Sequence, residues 1–193
     1  MADSVTAEHY QEMVQINQDL LDSGQFKELK DLKGLNVALG SMGTTPQLYL
    51  ERIAAKAGIT PADYQLTVVP YPDIIGALAN KALDAAYHIE PSVAIADAQG
   101  VARSAIRMGE IFPGILTNVV LVSPVFAQDQ PEAARRYVTA HLRGQRDYYR
   151  AVLKNEGGRD EIIQILIKNT ALKDPELYAR MGWHGVEPNG ELA

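Results

Sequence analysis

The sequence predicts an α/β protein built on a mostly parallel sheet flanked by helices. Short apolar runs of strand length alternate with helical patterns through the middle of the chain, and each run stops at a Gly or Pro turn. Strands alternating with helices in this way form βαβ units with right-handed crossovers. Composition agrees: 193 residues, 47% of them hydrophobic and 22% charged, can bury a core in one domain or in two small lobes.

The first run, Leu35-Asn36-Val37-Ala38-Leu39, reads as a buried parallel strand. Gly40-Ser41-Met42-Gly43-Thr44-Thr45-Pro46 follows, with Pro46 suited to the first helical position and Thr45 to the N-cap. Tyr49, Ile53 and Ala57 then recur at helical spacing until Gly58. The pattern repeats as a strand over 64–69, a helix over 73–80, a strand over 85–89 and a helix over 91–99. Beyond Pro113-Gly114 a strand over 118–122 precedes mainly helical sequence. One helix starts at Pro131, with Ala134, Tyr137, His141, Tyr148 and Val152 along one side. Gly157-Gly158 breaks it, and helices over 160–168 and 175–181 follow. Before residue 33 the pattern fits either a helix (Tyr10, Met13, Val14, Leu21) or a strand (alternating Val14 and Ile16). The expected organisation is an amino-terminal connector and crossover segment over 1–33, a complete α/β lobe over 34–116, and a crossover strand with a mainly helical part of a second, incomplete lobe over 117–193.

Several function classes drop out. With 18 Lys and Arg against 24 Asp and Glu, the net charge of -6 draws the chain to neither nucleic acid nor anionic lipid. Arg135, Arg136, Arg143, Arg146 and Arg150 form a basic run, but Glu132, Asp147 and Glu156 dilute it, so a solvated helix face or a contact to a partner protein is expected. Absence of cysteine removes thiolate nucleophiles, Cys-ligated metals and disulfides. No apolar run approaches the ~20 residues that span a bilayer, and Met1-Ala2-Asp3-Ser4 lacks the features of a signal peptide, so no membrane insertion is expected. His9, His88, His141 and His184 stand in no catalytic or metal-binding spacing, and neither H-E-x-x-H nor G-x-S-x-G occurs. No enzyme activity, cofactor or metal is expected.

The turn after the first strand is the leading binding candidate. A Gly/Ser/Thr turn that opens a helix presents backbone N–H groups at the positive end of the helix dipole, which suits a small anion. Ser41, Met42, Gly43, Thr44 and Thr45 make up this turn, with hydroxyls on Ser41, Thr44 and Thr45 as further donors. A plain N-cap and tight turn would look the same. Neither nucleotide-loop motif is present, since no Lys-Ser/Thr follows the glycines and the G-x-G-x-x-G spacing is missing. A second candidate is the carboxyl end of the strand at Tyr87-His88-Ile89-Glu90-Pro91, where open α/β sheets bind ligands. His88 is either an anion donor or a satisfied structural residue, and Glu90 suits fixing the loop through backbone N–H groups better than acid–base chemistry. Tyr71, in Pro70-Tyr71-Pro72-Asp73, is placed either to pack a ring on a ligand or to form a rigid turn.

From Asp31-Leu32-Lys33-Gly34 through Gly40-Ser41-Met42-Gly43-Thr44 the chain resembles the periplasmic solute-binding proteins for nitrate, sulfonate and taurine, of the type 2 periplasmic-binding-protein fold. The likeness continues in Ala77-Leu78-Ala79-Asn80-Lys81-Ala82-Leu83-Asp84-Ala85-Ala86, in Glu90-Pro91, and in Ser123-Pro124-Val125-Phe126 with Pro131-Glu132-Ala133-Ala134-Arg135-Arg136-Tyr137. The resemblance implies a substrate-binding component of an ABC importer that takes a small anionic solute in an interlobe cleft, delivers it to the importer's membrane subunits, and works in the periplasm. It also implies a truncated member, and it places Asn118, after Pro113-Gly114-Ile115-Leu116-Thr117, where the chain returns between lobes. Alternative expectations are a ligand-sensing regulatory domain of the same fold, or a cytoplasmic α/β enzyme completed by a partner chain. A related thiamin-pyrimidine branch resembles a cysteine-rich iron-binding type, which a chain without cysteine does not match.

Overall fold

The computed structural model describes residues 2–5 and 11–190 and divides into two compact units. One unit joins strand β1 (Ala2–Val5) to the chain from Phe112 onward, and the other is Gln11–Ile111. The boundary expected at residue 33 therefore moves back to Gln11, and the lobe expected to run to 116 ends at Ile111.

The unit Gln11–Ile111 is a five-stranded sheet with helices on both faces. Its strands are β2 (Glu12–Asn17), β3 (Asn36–Leu39), β4 (Gln65–Val68), β5 (Ala85–Ile89) and β6 (Ala102–Arg107), in spatial order β4-β3-β5-β2-β6. β3 pairs in parallel with β4 and β5, while β2 runs antiparallel to both β5 and β6. Four strands thus share one direction and β2 alone opposes them, the mixed version of the mostly parallel sheet expected. Of the two readings open for this stretch, residues 12–17 take the strand, paired on both sides within the sheet. Met13, Val14, Gln15, Ile16 and Asn17 are all buried, because this strand is sandwiched on both faces and loses the alternation that identifies a half-exposed strand.

Helices α1 (Gln18–Asp22), α2 (Thr45–Lys56), α3 (Tyr71–Ala79), α4 (Ser92–Ala98) and α5 (Met108–Ile111) complete this unit. α2 buries Tyr49, Leu50, Ile53 and Ala54. On the other face Ala38, Ile74, Leu78, Leu83, Ala86 and Ala102 form one cluster. Each fully buried Leu or Ile side chain contributes about 1.5–3 kcal/mol over leaving it in water. β6 was not expected: only Ala102 and Ile106 are buried along it, and its polar positions Arg103, Ser104 and Arg107 conceal the strand.

In the other unit β7 (Ile115–Val119) and β8 (Gly185–Val186) flank β1, both antiparallel, in the order β7-β1-β8. The strand expected over 118–122 lies at Ile115–Val119, because Ser123 caps helix α6 (Pro124–Asp129) and ends the extended chain. Helix α7 (Pro131–Tyr148) runs into a π-helical turn at Tyr149–Leu153, followed by α8 (Arg159–Asn169) and α9 (Pro175–Arg180). Ala134 and Val152 are buried as the expected side requires, but Tyr137 is 53% exposed. The basic run is partly neutralised: Arg135 and Arg136 both pair with Glu132, and Arg150 pairs with Asp147. Tyr148, Tyr178, Trp183 and His184 gather into an aromatic cluster, with ring centroids 5.5 Å apart for Tyr148 and His184.

Candidate functional site

β3, β4 and β5 end at one edge of the five-stranded sheet, and α2 and α3 begin there. Gly40 leaves β3, Ser41, Met42 and Gly43 form an exposed turn, and Thr44 is the N-cap, with Thr45 and Pro46 inside the first turn of α2. The cap sits one residue earlier than expected. Its hydroxyl does not cap the helix, because Thr44 Oγ1 donates to the Ser41 carbonyl at 2.8 Å and so closes the turn on itself. The Gly43 N–H donates to Gln47 Oε1 at 2.8 Å, so an uncharged acceptor oxygen already sits against one of the turn's amides. Thr45 remains exposed.

Tyr71 opens α3 and lies against this turn. A Cβ built on Gly40 would stand 2.5 Å from a Tyr71 ring carbon, so only glycine allows the ring to cover the end of β3. Burial and the nearby Glu12 carboxylate raise the Tyr71 phenol above its ordinary range.

β2 and β5 carry unlike polar groups on their two faces. Towards α3 and α4 point Gln15, Asn17 and His88, all buried. Gln15 Nε2 donates to the Val93 carbonyl at 3.1 Å, and Gln15 Oε1 is 2.7 Å from His88 Nδ1. Since that amide oxygen can only accept, Nδ1 carries the imidazole proton. Asn17 Nδ2 donates to the Leu78 carbonyl at 2.9 Å and tethers α3 to the sheet. Burial pushes the His88 imidazole down to about 4, against an opposing pull from the Tyr71 backbone carbonyl, so it is neutral near pH 7.

The other face carries Glu12 and Tyr87, next to Tyr49 of α2, whose ring centroid is 6.2 Å from that of Tyr87. Glu12 is half-buried, and its Oε2 and the Tyr87 hydroxyl are sealed off near one another, with no further hydrogen-bond partner among the described residues. Burial raises the Glu12 carboxyl, with the Tyr87 hydroxyl partly offsetting it. Burial first and the Glu12 charge second push Tyr49 up to about 12 and raise Tyr87 further. Glu12 was not among the expected site residues, since its surroundings are assembled from Tyr49, Tyr71 and Tyr87, which lie far away in sequence.

Glu90 Oε2 accepts the Ala94 N–H at 3.0 Å across a cis Glu90–Pro91 bond, which is the loop-fixing role expected of it. Ser41, Met42, Gly43, Thr44, Thr45, Tyr71, Tyr87, His88 and Glu90 therefore all belong to the strand-end region of one unit, with Tyr87 and His88 fully buried within it. Asn118 belongs to the other unit, exposed on β7 opposite Asp3 of β1. No group of three His, Asp or Glu among the described residues could hold a metal ion, and no described helix is long and apolar enough to cross a membrane.

A sheet with four co-directional strands and one opposed, sandwiched by helices and followed by a return to the first unit, is the type 2 periplasmic-binding-protein fold. The chain belongs to the NMT1-like family, which matches residues 3–167. No curated protein sequence matches it. Among solved structures it is similar to the alkanesulfonate-binding protein SsuA from Xanthomonas axonopodis pv. citri, bound to MOPS, at 20% identity and a TM-score of 0.69 over 96% of this chain and 61% of that one. The periplasmic aliphatic sulphonate binding protein SsuA from Escherichia coli is similar at 21% identity and a TM-score of 0.67, over 93% of this chain and 58% of that one. The periplasmic nitrate-binding protein NrtA from Synechocystis PCC 6803 is similar at 19% identity and a TM-score of 0.66, over 86% and 44% respectively. The chain thus spans less than two thirds of the length of each of these proteins.

Proposed function

We propose that the chain is a substrate-binding component of an ABC importer, holding a small organic or inorganic anion of sulfonate, nitrate, taurine or carboxylate type, and that it is not an enzyme. The observation that carries this reading is the exposed Ser41–Thr45 turn at the start of α2, at the strand ends where open α/β sheets take their ligands. Anion oxygens would accept from the turn's amides and from the Ser41 and Thr45 hydroxyls, aided by the helix dipole. Gln47 Oε1 marks one such acceptor position on Gly43, and an incoming oxygen would replace it. Membership of a family with a periplasmic-binding-protein fold supports delivery to importer membrane subunits outside the cytoplasm.

The test is calorimetric titration of the full-length gene product with alkanesulfonates, nitrate and small carboxylates, alongside the double variant Ser41→Ala, Thr45→Val. Loss of hydroxyl donors to a charged acceptor is expected to weaken binding by about 10- to 100-fold. Unchanged affinity in a variant that melts like the parent would reject this site, and consumption of a ligand would reject the non-enzymatic reading.

A further inference from the structure

The edge that carries the Ser41–Thr45 turn also carries a half-buried carboxyl group. Glu12 opens β2 opposite Ile89 at the end of β5, and it shares a face with Tyr87 because Val14, two residues on, is the cross-strand partner of Tyr87. Glu12 and the Tyr87 hydroxyl share a hydrogen bond, and Tyr49 of α2 lies 6.2 Å from Tyr87, centroid to centroid. Tyr71 of α3 joins this group to the turn. Its ring lies over Gly40, 2.5 Å from where a Cβ would stand, and its phenol lies in the field of Glu12. An anion held on the turn therefore shares its edge with a carboxylate, and like charges repel strongly where water screens them poorly.

The other groups around Glu12 do not relieve that repulsion. The phenols of Tyr49, Tyr71 and Tyr87 are all raised, so they stay neutral at neutral pH. Residues 41–45 carry no ionisable side chain. Arg107 of β6 stands opposite Met13, whose side chain points to the other face, and it pairs with Glu110 of α5. His88 lies on that other face too, locked to Gln15. Glu90 accepts the Ala94 N–H, and Asp73, in the first turn of α3, stands exposed to water. Among the described residues, no ion pair involves Glu12. A proton from solvent is the smallest counter-charge that can reach it.

We propose that the strand ends take up their anion together with a proton, which Glu12 receives from solvent. The proposal rests on the anion-binding reading above and adds a linkage to it. Protonation makes the carboxylate a neutral carboxyl, removes the repulsion, and lets its O–H donate to the Tyr87 oxygen, which changes from donor to acceptor. No bond of the solute changes. The factor by which the anion tightens proton binding at Glu12 equals the factor by which the proton tightens anion binding. Burial already raises the Glu12 carboxyl in the free protein, which brings this step towards neutral pH. The anion raises it further, so affinity is highest below the free-protein value, falls as pH rises, and levels off above the liganded value.

Ethanesulfonate and nitrate, which stay singly charged throughout, test this in the full-length gene product. Proton uptake is read with a pH-stat in unbuffered chloride solution, and affinity by calorimetric titration from about pH 5 to about pH 8 in amine buffers. The parent is expected to take up a sizeable fraction of one proton per ligand bound, and to bind about 10-fold more tightly at the acid end. Glu12→Gln should take up none and should bind at the alkaline end as tightly as the parent does at the acid end, while Asp73→Asn should keep the uptake. Binding without proton uptake at any pH, or uptake that persists in Glu12→Gln or disappears in Asp73→Asn, would overturn the linkage and leave the anion site standing. Binding of neither anion at any pH, with the parent folded, would reject the anion reading and this proposal with it.

Discussion

The two faces of β2 and β5 make opposite use of buried polar groups. On the face towards α3 and α4, Gln15 and Asn17 each donate to a helix carbonyl, and His88 is locked to Gln15. On the face towards α2, Glu12 Oε2 and the Tyr87 hydroxyl are sealed in near one another, with no further partner among the described residues. Buried polar groups are ordinarily paired, and a low local dielectric makes the exceptions expensive. The paired face therefore reads as architecture that fastens two helices to the sheet. The contrast is one of degree, since His88 Nε2 on the first face is also sealed without a hydrogen-bond partner among the described residues. Proximity to the strand ends alone would not separate the two, because both faces reach the same edge.

Four measurements bear on this contrast. The largest effect is expected from the paired face. Gln15→Leu leaves the buried His88 Nδ1 proton without its acceptor and cuts the tie from β2 to α4 at Val93, and should lower unfolding free energy by about 2–4 kcal/mol, read from denaturant midpoints. A loss below about 0.5 kcal/mol would deny that face its structural role.

Acid should act on the same face. His88 titrates near 6.5 in the unfolded chain but is held down to about 4 in the fold. Between those values the unfolded state binds a proton that the folded state refuses, so its contribution is complete above pH 6.5 and is lost as pH falls towards 4. The loss is at most about 3 kcal/mol. A His88→Gln variant should flatten the pH dependence of stability in this window, and an unaltered profile would place the acid sensitivity elsewhere.

At the edge between the faces, Gly40→Ala forces the Tyr71 ring off the end of β3. A cost of about 1–3 kcal/mol is expected from overpacking, with a weakened ligand response because Tyr71 moves. The smallest change should come from the unpaired face and carry the opposite sign. The Glu12 carboxyl is raised by burial, so its charged form weighs against folding above its folded-state pKa and is harmless at low pH, where it is protonated. Glu12→Gln should thus gain on the order of 1 kcal/mol at neutral pH. A clear loss of stability would mean that Glu12 holds the fold together after all.

Legibility in the sequence followed local chemistry. The β3–turn–α2 passage could be read because an apolar run, two glycines and Pro46 act over a few residues, and only the cap shifted, from Thr45 to Thr44. Glu90 could likewise be read as a loop anchor. β2 could not, because burial on both faces with Gln15 and Asn17 inside leaves no period to detect. β6 hid behind its exposed polar positions. The role of Glu12 is a tertiary property, set by three tyrosines contributed by α2, α3 and β5.

The most direct test of solute binding at the strand ends is an amide chemical-shift titration of the full-length protein with a bound sulfonate or carboxylate. The largest shifts are expected at Ser41, Gly43, Thr44 and Thr45. Saturable binding whose shifts leave residues 40–45 unmoved would contradict the site.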